Sequence, residues 1–206
     1  MQLRFLASSP YVRKVMVTAI ETGLEDRIER VPTSPQADED SLAEHNPIGK
    51  VPTLVLDDGT TLYDSRVICE YLDSLHDGPR LFPAEGPERW LVLRRQALAE
   101  GILDAAVSRR YEALRPAELR SDDWTGKQKR KIARALDVLE TQVEEGTLAA
   151  PDGPLTIGEI AVGCALGYLD FRFEADDWRH NRPALASWHD DLADRPSFKK
   201  TVPSAA

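Results

Sequence analysis

The feature that most constrains this chain is a change of hydrophobic period partway along it. Up to about residue 78, short alternating runs of strand type trade places with helical repeats, whereas beyond residue 87 the apolar spacing is helical throughout. In the first part, Leu3 and Phe5 alternate in an extended run, and Ser8-Ser9-Pro10 opens a helix over 11–22. Val12, Val15, Met16, Ala19 and Ile20 share one face of that helix, and Gly23 stops it. Residues 27–32 read as a short strand and 33–44 as an acidic, turn-rich connection. Asn46-Pro47-Ile48-Gly49 is a turn, and 53–56 is the next strand. Asp58-Gly59 turns it into a hairpin with 60–63, and Asp64-Ser65 starts a helix carrying Val67, Ile68, Tyr71, Leu72 and Leu75.

The second part contains no strand signal. Helices are predicted over 89–114, ended by Pro116, over 127–145, over 157 to about 169, and over 183–194. Thr156 and Glu159 stand at capping-box spacing, with Leu155 and Ile160 placed as a hydrophobic staple, so the third of these begins at Ile157. The pattern divides the chain into an α/β domain over 1–77, a linker over 78–86 and an all-helical domain over 87–206.

Charge and cysteine content narrow the function. With 26 Lys plus Arg against 35 Asp plus Glu the chain carries a formal charge of -9, and residues 1–78 alone hold 7 basic and 14 acidic side chains. Nucleic-acid binding needs clustered positive charge, so small solutes or proteins are the expected partners. Cys69 and Cys164 sit in apolar helical stretches, which fits buried thiols in a reducing cytoplasm better than a disulfide or metal site. The longest nearly continuous apolar run, 160–169, is half of the ~20 residues a membrane helix needs. A cytoplasmic protein with no membrane contact is expected.

Three short motifs of the first domain carry chemistry. At Ser8-Ser9-Pro10 a strand gives way to a helix, so unpaired N–H groups and the positive end of the helix dipole converge on one spot. A thiolate held there would gain a hydroxyl hydrogen bond. Lowering a thiol pKa from ~8.5 by about two units corresponds to about 2.7 kcal/mol, enough to make the thiolate the main form at neutral pH. The same serine also reads as a plain helix cap. At Gly49-Lys50-Val51-Pro52-Thr53 a proline precedes a strand inside the sheet. A cis bond at Pro52 would turn the Val51 main chain toward an extended ligand; an ordinary trans-proline at a strand start is the alternative. At Asp64-Ser65 a hydroxyl and a helix N-terminus suit a ligand carboxylate and Asp64 an ammonium group, or the pair simply caps the helix.

The strand-SSPYVRK-helix start, the NPIGKVP segment, the DS helix start and the later PLTIGEIAVGCALGYL stretch together resemble a cytosolic glutathione transferase, above all the small bacterial members with a serine-proline start. The resemblance covers the whole chain. It implies a thioredoxin-like α/β N-terminal domain with an all-α C-terminal domain, in a homodimer, acting on glutathione and a small electrophile as in detoxification. By this resemblance Ser9, or Ser8, contacts the thiol, Val51 pairs with the cysteinyl main chain, and Pro52 is the cis-proline. Asp64 and Ser65 bind the γ-glutamyl end and Lys50 neutralises the glycyl carboxylate. Of the two serines Ser9 is favoured, although capping by Ser9 would leave Ser8 the freer donor.

Relatives that pass through a mixed disulfide place cysteine where Ser8 or Ser9 stands, so activation of glutathione itself is the expected chemistry. A binding or regulatory module on the same fold, without turnover, is the alternative. An isomerase of the maleylacetoacetate type ranks lower, because it normally has cysteine in place of Pro10. No metal is expected, since His45, His76, His180 and His189 lack ligand spacing and read as exposed residues. Trp90, Trp124, Trp178 and Trp188 read as core or interface fillers. Arg109-Arg110 beside Tyr111 either faces the electrophile or forms an exposed charged pair, the second being preferred.

Overall fold

A computed structural model describes residues 1–149 and 151–204, so the end of the span predicted as 87–206 lies outside the described residues. The chain forms two compact units. The first runs from Met1 to Ala84 and takes in the chain from Pro196 onward; the second is Glu85–Arg195.

In the first unit, strands β1 (Gln2–Phe5), β2 (Glu29–Pro32), β3 (Thr53–Val55) and β4 (Thr61–Leu62) form one sheet in the order β2-β1-β3-β4. β1 pairs parallel with β2 and antiparallel with β3, and β3 pairs antiparallel with β4. Helices α1 (Pro10–Glu21) and α2 (Glu39–Ala43) lie in the connections from β1 to β2 and from β2 to β3, and α3 (Ser65–Asp73) follows β4. α2 falls inside the segment read as a turn-rich connection, because five residues with only Leu42 buried give no helical period to detect. The core is the predicted apolar face of α1, with Val12, Val15, Met16 and Ala19, against Ile68, Cys69 and Leu72 of α3 and Leu3 and Leu54 of the sheet, each at most 1% exposed. Cys69 is buried as expected, its sulfur accepting a hydrogen bond from Thr18 Oγ1 at 3.4 Å.

The return of the chain end to this unit differs from the single helical span read over 87–206. Phe198 is fully buried, the Arg13 guanidinium lies 5.3 Å from its ring centroid, and Arg13 Nη2 donates to its carbonyl at 3.4 Å. Ser197 Oγ donates to Glu21 Oε1 at 2.5 Å and Lys200 pairs with Glu25 at 3.1 Å. One aromatic and a few polar side chains hold the tail, too little to leave a periodic signal. The linker is also tied down: both oxygens of buried Asp73 accept main-chain N–H groups, from Leu81 at 2.8 Å and Phe82 at 3.2 Å.

The second unit comprises α4 (Gly86–Leu114), α5 (Asp122–Glu144), α6 (Ile157–Phe173) and α7 (Pro183–Ala193); a short helix α8 (Pro196–Lys199) belongs to the tail of the first unit. α4 packs on α5 and α6, and α5 on α7. α5 starts five residues before the predicted 127, since Ser121 caps it, accepting from the Trp124 N–H at 3.2 Å. The predicted capping box is present at the head of α6, whose residues 157–166 are all buried. Gly158 belongs there because a Cβ would meet Arg95 Cδ at 3.2 Å and Thr156 Oγ1 at 3.3 Å.

At the other end of α6, Asp170 accepts from Trp178 Nε1 at 2.6 Å and Arg179 Nη2 at 2.8 Å and faces His189 Nε2 at 3.4 Å. Burial pushes this carboxyl up, but the hydrogen bonds from His189, Arg179 and Trp178 outweigh it and hold the group well below the usual carboxylate range. Its contribution to stability is therefore complete above the unfolded value of about 3.9 and is lost as pH falls through the lower folded value. Asp170→Asn is expected to lower Tm at neutral pH and to flatten the fall in Tm below about pH 4, as thermal melts across pH will read; an unchanged acid limb would contradict it. His189 is 4% exposed, not a surface histidine, because this network satisfies its Nε2. Trp178 and Trp188 are core residues, whereas Trp90 is 69% exposed.

Candidate functional site

Strand register decides where the three motifs of the first unit fall. Arg4 of β1 pairs with Thr53 of β3 and Gln2 with Val55, so the carboxyl end of β1 lies beside the start of β3. Leu54 pairs with Leu62 and Val55 with Thr61, so the chain leaving β4 toward Asp64 returns to that same end. With strands ~4.8 Å apart, the turn after β1, the Val51-Pro52 segment and the start of α3 meet across about 10 Å of one sheet edge. A surface depression lined by Met1, Asp26, Arg27 and Asp57 opens at the opposite end.

Ser9 is the N-cap of α1, with extended φ/ψ of -83° and 121°, and Pro10 occupies the first helical turn. Its Oγ accepts the Val12 N–H at 3.3 Å, so its own hydroxyl hydrogen is not used by the cap. Ser9 is buried at 9% exposure, and Ser8 beside it is half-buried in the turn. Among the described residues the Ser8 hydroxyl makes no hydrogen bond. Arg13 and Lys14 of the same motif are buried and turned away: Arg13 stacks on Phe198, and Lys14 is fully enclosed.

The Val51-Pro52 peptide is cis. Ladder pairing of β3 starts at Thr53, which leaves the Val51 main chain outside it, with no hydrogen bond to another described residue. Lys50 is exposed, while its carbonyl is held inward by Asn46 Nδ2 at 2.9 Å and Thr53 Oγ1 at 2.9 Å. Asn46 also accepts the Ile48 N–H at 3.0 Å, and Gly49 closes the turn with a φ of +64° that favours glycine. Asn46, only 2% exposed, is thus the organiser of the loop. Sequence reading took Asn46 as a turn former, and nothing in the local pattern signals that its side chain points inward.

Asp64 is exposed and caps α3, its Oδ1 accepting the Arg66 N–H at 2.8 Å. Ser65, the first residue of the helix, is 2% exposed, and its hydroxyl is engaged by no other described residue. The site thus combines two helix N-termini, hydroxyls with hydrogen-bonding capacity to spare and one unpaired strand segment, a set suited to an extended, anionic peptide. Among the described residues no group of three or more His, Cys, Asp or Glu could hold a metal ion. No helix among them is long and apolar enough to cross a membrane.

Comparison with known proteins agrees with this layout. Residues 8–75 match the model of the glutathione S-transferase N-terminal domain and residues 98–191 that of the C-terminal domain. The uncharacterized GST-like protein YibF of Escherichia coli (strain K12) is 37% identical over 199 residues, covering 97% of this chain and 96% of that one. A crystal structure of a glutathione transferase family member from Pseudomonas fluorescens Pf-5 with bound glutathione superposes with a TM-score of 0.91 at 45% identity, covering 99% of both chains. A second, from the same organism with bound S-(propanoic acid)-glutathione, gives 0.87 at 44% identity over the full length of both. Both halves of the family pattern, in order and over nearly the whole length, place this chain in the glutathione S-transferase family.

Proposed function

We propose that this protein binds glutathione at the sheet end just described, holds its sulfur as the thiolate and transfers it to a small electrophile. The observation that carries the reading is the convergence of a helix-capping serine with a spare hydroxyl hydrogen and an unpaired Val51 main chain on one edge. Ser9 Oγ donates to the sulfur, and the N-terminal end of α1 adds favourable potential for the negative charge. Val51 pairs with the cysteinyl main chain in the manner of an added strand, beside the cis Pro52. Ser65 and the head of α3 take the γ-glutamyl carboxylate, Asp64 its ammonium group, and Lys50 the glycyl carboxylate. Ser8, unbonded beside Ser9, is the alternative donor. Glutathione and its S-substituted form bound in the two Pseudomonas structures support the assignment of the ligand.

Once bound, the sulfur is the nucleophile, and no protein thiol enters the reaction, since Cys69 and Cys164 are both fully buried. We further propose a cytoplasmic homodimer, consistent with the exposed apolar side chains Val67, Trp90 and Leu91, for which light scattering should return twice the chain mass.

Isothermal calorimetry with glutathione is expected to show one site per chain. A glutathione concentration of 100 Kd should stabilise the fold by about 2.7 kcal/mol, read as a rise in Tm. Asn46→Ala, which frees the Lys50 carbonyl, is expected to weaken glutathione binding roughly tenfold, about 1.4 kcal/mol. No heat and no Tm shift with millimolar glutathione would overturn the reading in favour of a binding module for another partner.

A further inference from the structure

The chain from Pro196 onward meets α1 in a way that the glutathione site does not explain. α8 packs on α1, and the tail fastens that helix near both ends. At the first turn, the Arg13 guanidinium lies 5.3 Å from the Phe198 ring centroid, its Nη2 donates to the Phe198 carbonyl at 3.4 Å and its Nε to Thr201 Oγ1 at 3.5 Å. At the last turn, Glu21 Oε1 accepts from Ser197 Oγ at 2.5 Å, and just beyond the helix Glu25 pairs with Lys200 at 3.1 Å. With a rise of 1.5 Å per residue, Arg13 and Glu21 stand about 12 Å apart along the axis, so the tail spans most of α1.

Arg13 also closes the turn that presents Ser9. Its N–H donates to the Ser9 carbonyl at 3.0 Å, the Val12 N–H donates to Ser9 Oγ at 3.3 Å, and the Ser9 N–H donates to the Leu6 carbonyl at 3.0 Å. A helix of 12 residues draws most of its stability from tertiary packing, and its ends fray unless something outside the helix secures them. A guanidinium that is 8% exposed, stacked on a fully buried ring and hydrogen-bonded to the main chain of the tail, secures this end. The favourable potential of a helix N-terminus falls off within one turn, so the placement of that turn decides how much of it a ligand feels.

We infer that the chain from Pro196 onward is a strap and that Arg13 is a positioning residue, through which the strap fixes the turn presenting Ser9. Arg13 acts from the buried side of α1, turned away from the sheet end where the ligand is placed. That the turn so fixed lowers the pKa of a glutathione thiol rests on the function proposed above.

Two measurements on the full chain keep the strap and the function apart. Hydrogen exchange without glutathione reads the Val12 and Arg13 amides, whose acceptors both belong to Ser9. In Phe198→Ala, and in Arg13→Met, which keeps the apolar stem, these amides are expected to exchange about tenfold faster relative to the Val17 and Thr18 amides of the same helix. Phe198→Leu, which removes less buried volume, serves if Phe198→Ala fails to fold and should show the same change at smaller size. Unchanged relative exchange in Arg13→Met and in the folded Phe198 variant overturns the strap. Titration of the bound glutathione thiol, followed by the ultraviolet absorbance of its thiolate, reads the consequence. A rise of about one pKa unit is expected in the same variants, roughly tenfold less thiolate on the acid side of the titration. Faster exchange with an unchanged thiol titration would overturn the positioning role. A rise in Arg13→Met with none in either Phe198 variant would assign the effect to the guanidinium charge and overturn it equally. If the unmodified protein binds no glutathione, the proposed function falls, and the exchange measurement alone decides the strap.

Discussion

Ser9→Ala will lower the glutathione-dependent rate at pH 7 about 25-fold, with most of the loss recovered as the pH is raised past about 8.5. The size follows from the thiol: a hydroxyl that depresses its pKa by about two units makes most of it thiolate at neutral pH, whereas an unassisted thiol near 8.5 is only a few per cent ionised. In the proposed reading Ser9 has a hydrogen to donate, because its cap uses only an oxygen lone pair, with Val12 N–H as donor at 3.3 Å. Removing the hydroxyl also removes the cap, at about 1 kcal/mol of stability. Two companion variants separate the effects. Ser9→Asp keeps a capping acceptor but offers a negative charge where a donor is needed, so it should fold and be nearly inactive. Ser9→Thr keeps both and should retain most of the rate. A pH–rate profile for Ser9→Ala that coincides with the unmodified protein, while Ser8→Ala shifts to higher pH, would transfer the role to Ser8. Coincidence of all three would eliminate the serine mechanism.

The second large effect is on stability. Glu159→Ala is expected to destabilise the fold by about 3–5 kcal/mol, a fall in Tm on the order of 10 °C. Glu159 is fully buried, and its Oε2 accepts from the Thr156 N–H at 2.9 Å and from Thr156 Oγ1 at 2.5 Å. Its Oε1 pairs with Arg95 Nη1 at 2.6 Å, with Arg95 side-chain exposure 12%. Truncation leaves a largely buried guanidinium without its counter-charge and a helix end without its reciprocal cap. Arg95 keeps two acceptors, Gln142 Oε1 at 3.1 Å and the Thr147 carbonyl at 2.6 Å, so the loss stays short of complete unfolding. Adding Arg95→Met to Glu159→Ala should recover part of the loss, since removing both charges costs less than stranding one. A denaturation midpoint within about 1 kcal/mol of the unmodified protein would show that the pair is not coupled.

Several features were legible before the structure because each is encoded within a few residues. The apolar face of α1, the turn at Asp58-Gly59 and the Thr156/Glu159 box are written in spacings of two to four positions. The structure bears out all three. The edges of elements were less legible: the start of α5 at Asp122 depends on a single capping serine, and α2 is too short to have a period. Charged residues were read least well. Arg109 was expected at the surface and is buried, because its desolvation is offset by Asp176 and Phe173, partners 67 and 64 positions away in the chain. Asn46 was read as a turn former and is the inward-facing clamp of the Lys50-Val51 segment.

The order and type of the longer elements, the caps of α1, α3 and α6 and the glutathione transferase resemblance were determined by sequence alone, since backbone preference and side-chain periodicity act over one or two helical turns. Only the tertiary structure decided that the turn after β1, Val51 and the head of α3 share one sheet edge. It also returned the chain from Pro196 to the first unit and paired the buried Arg109 with Asp176. Strand register, burial and ion pairing are set by contacts between residues far apart in the chain, and no local pattern carries that information.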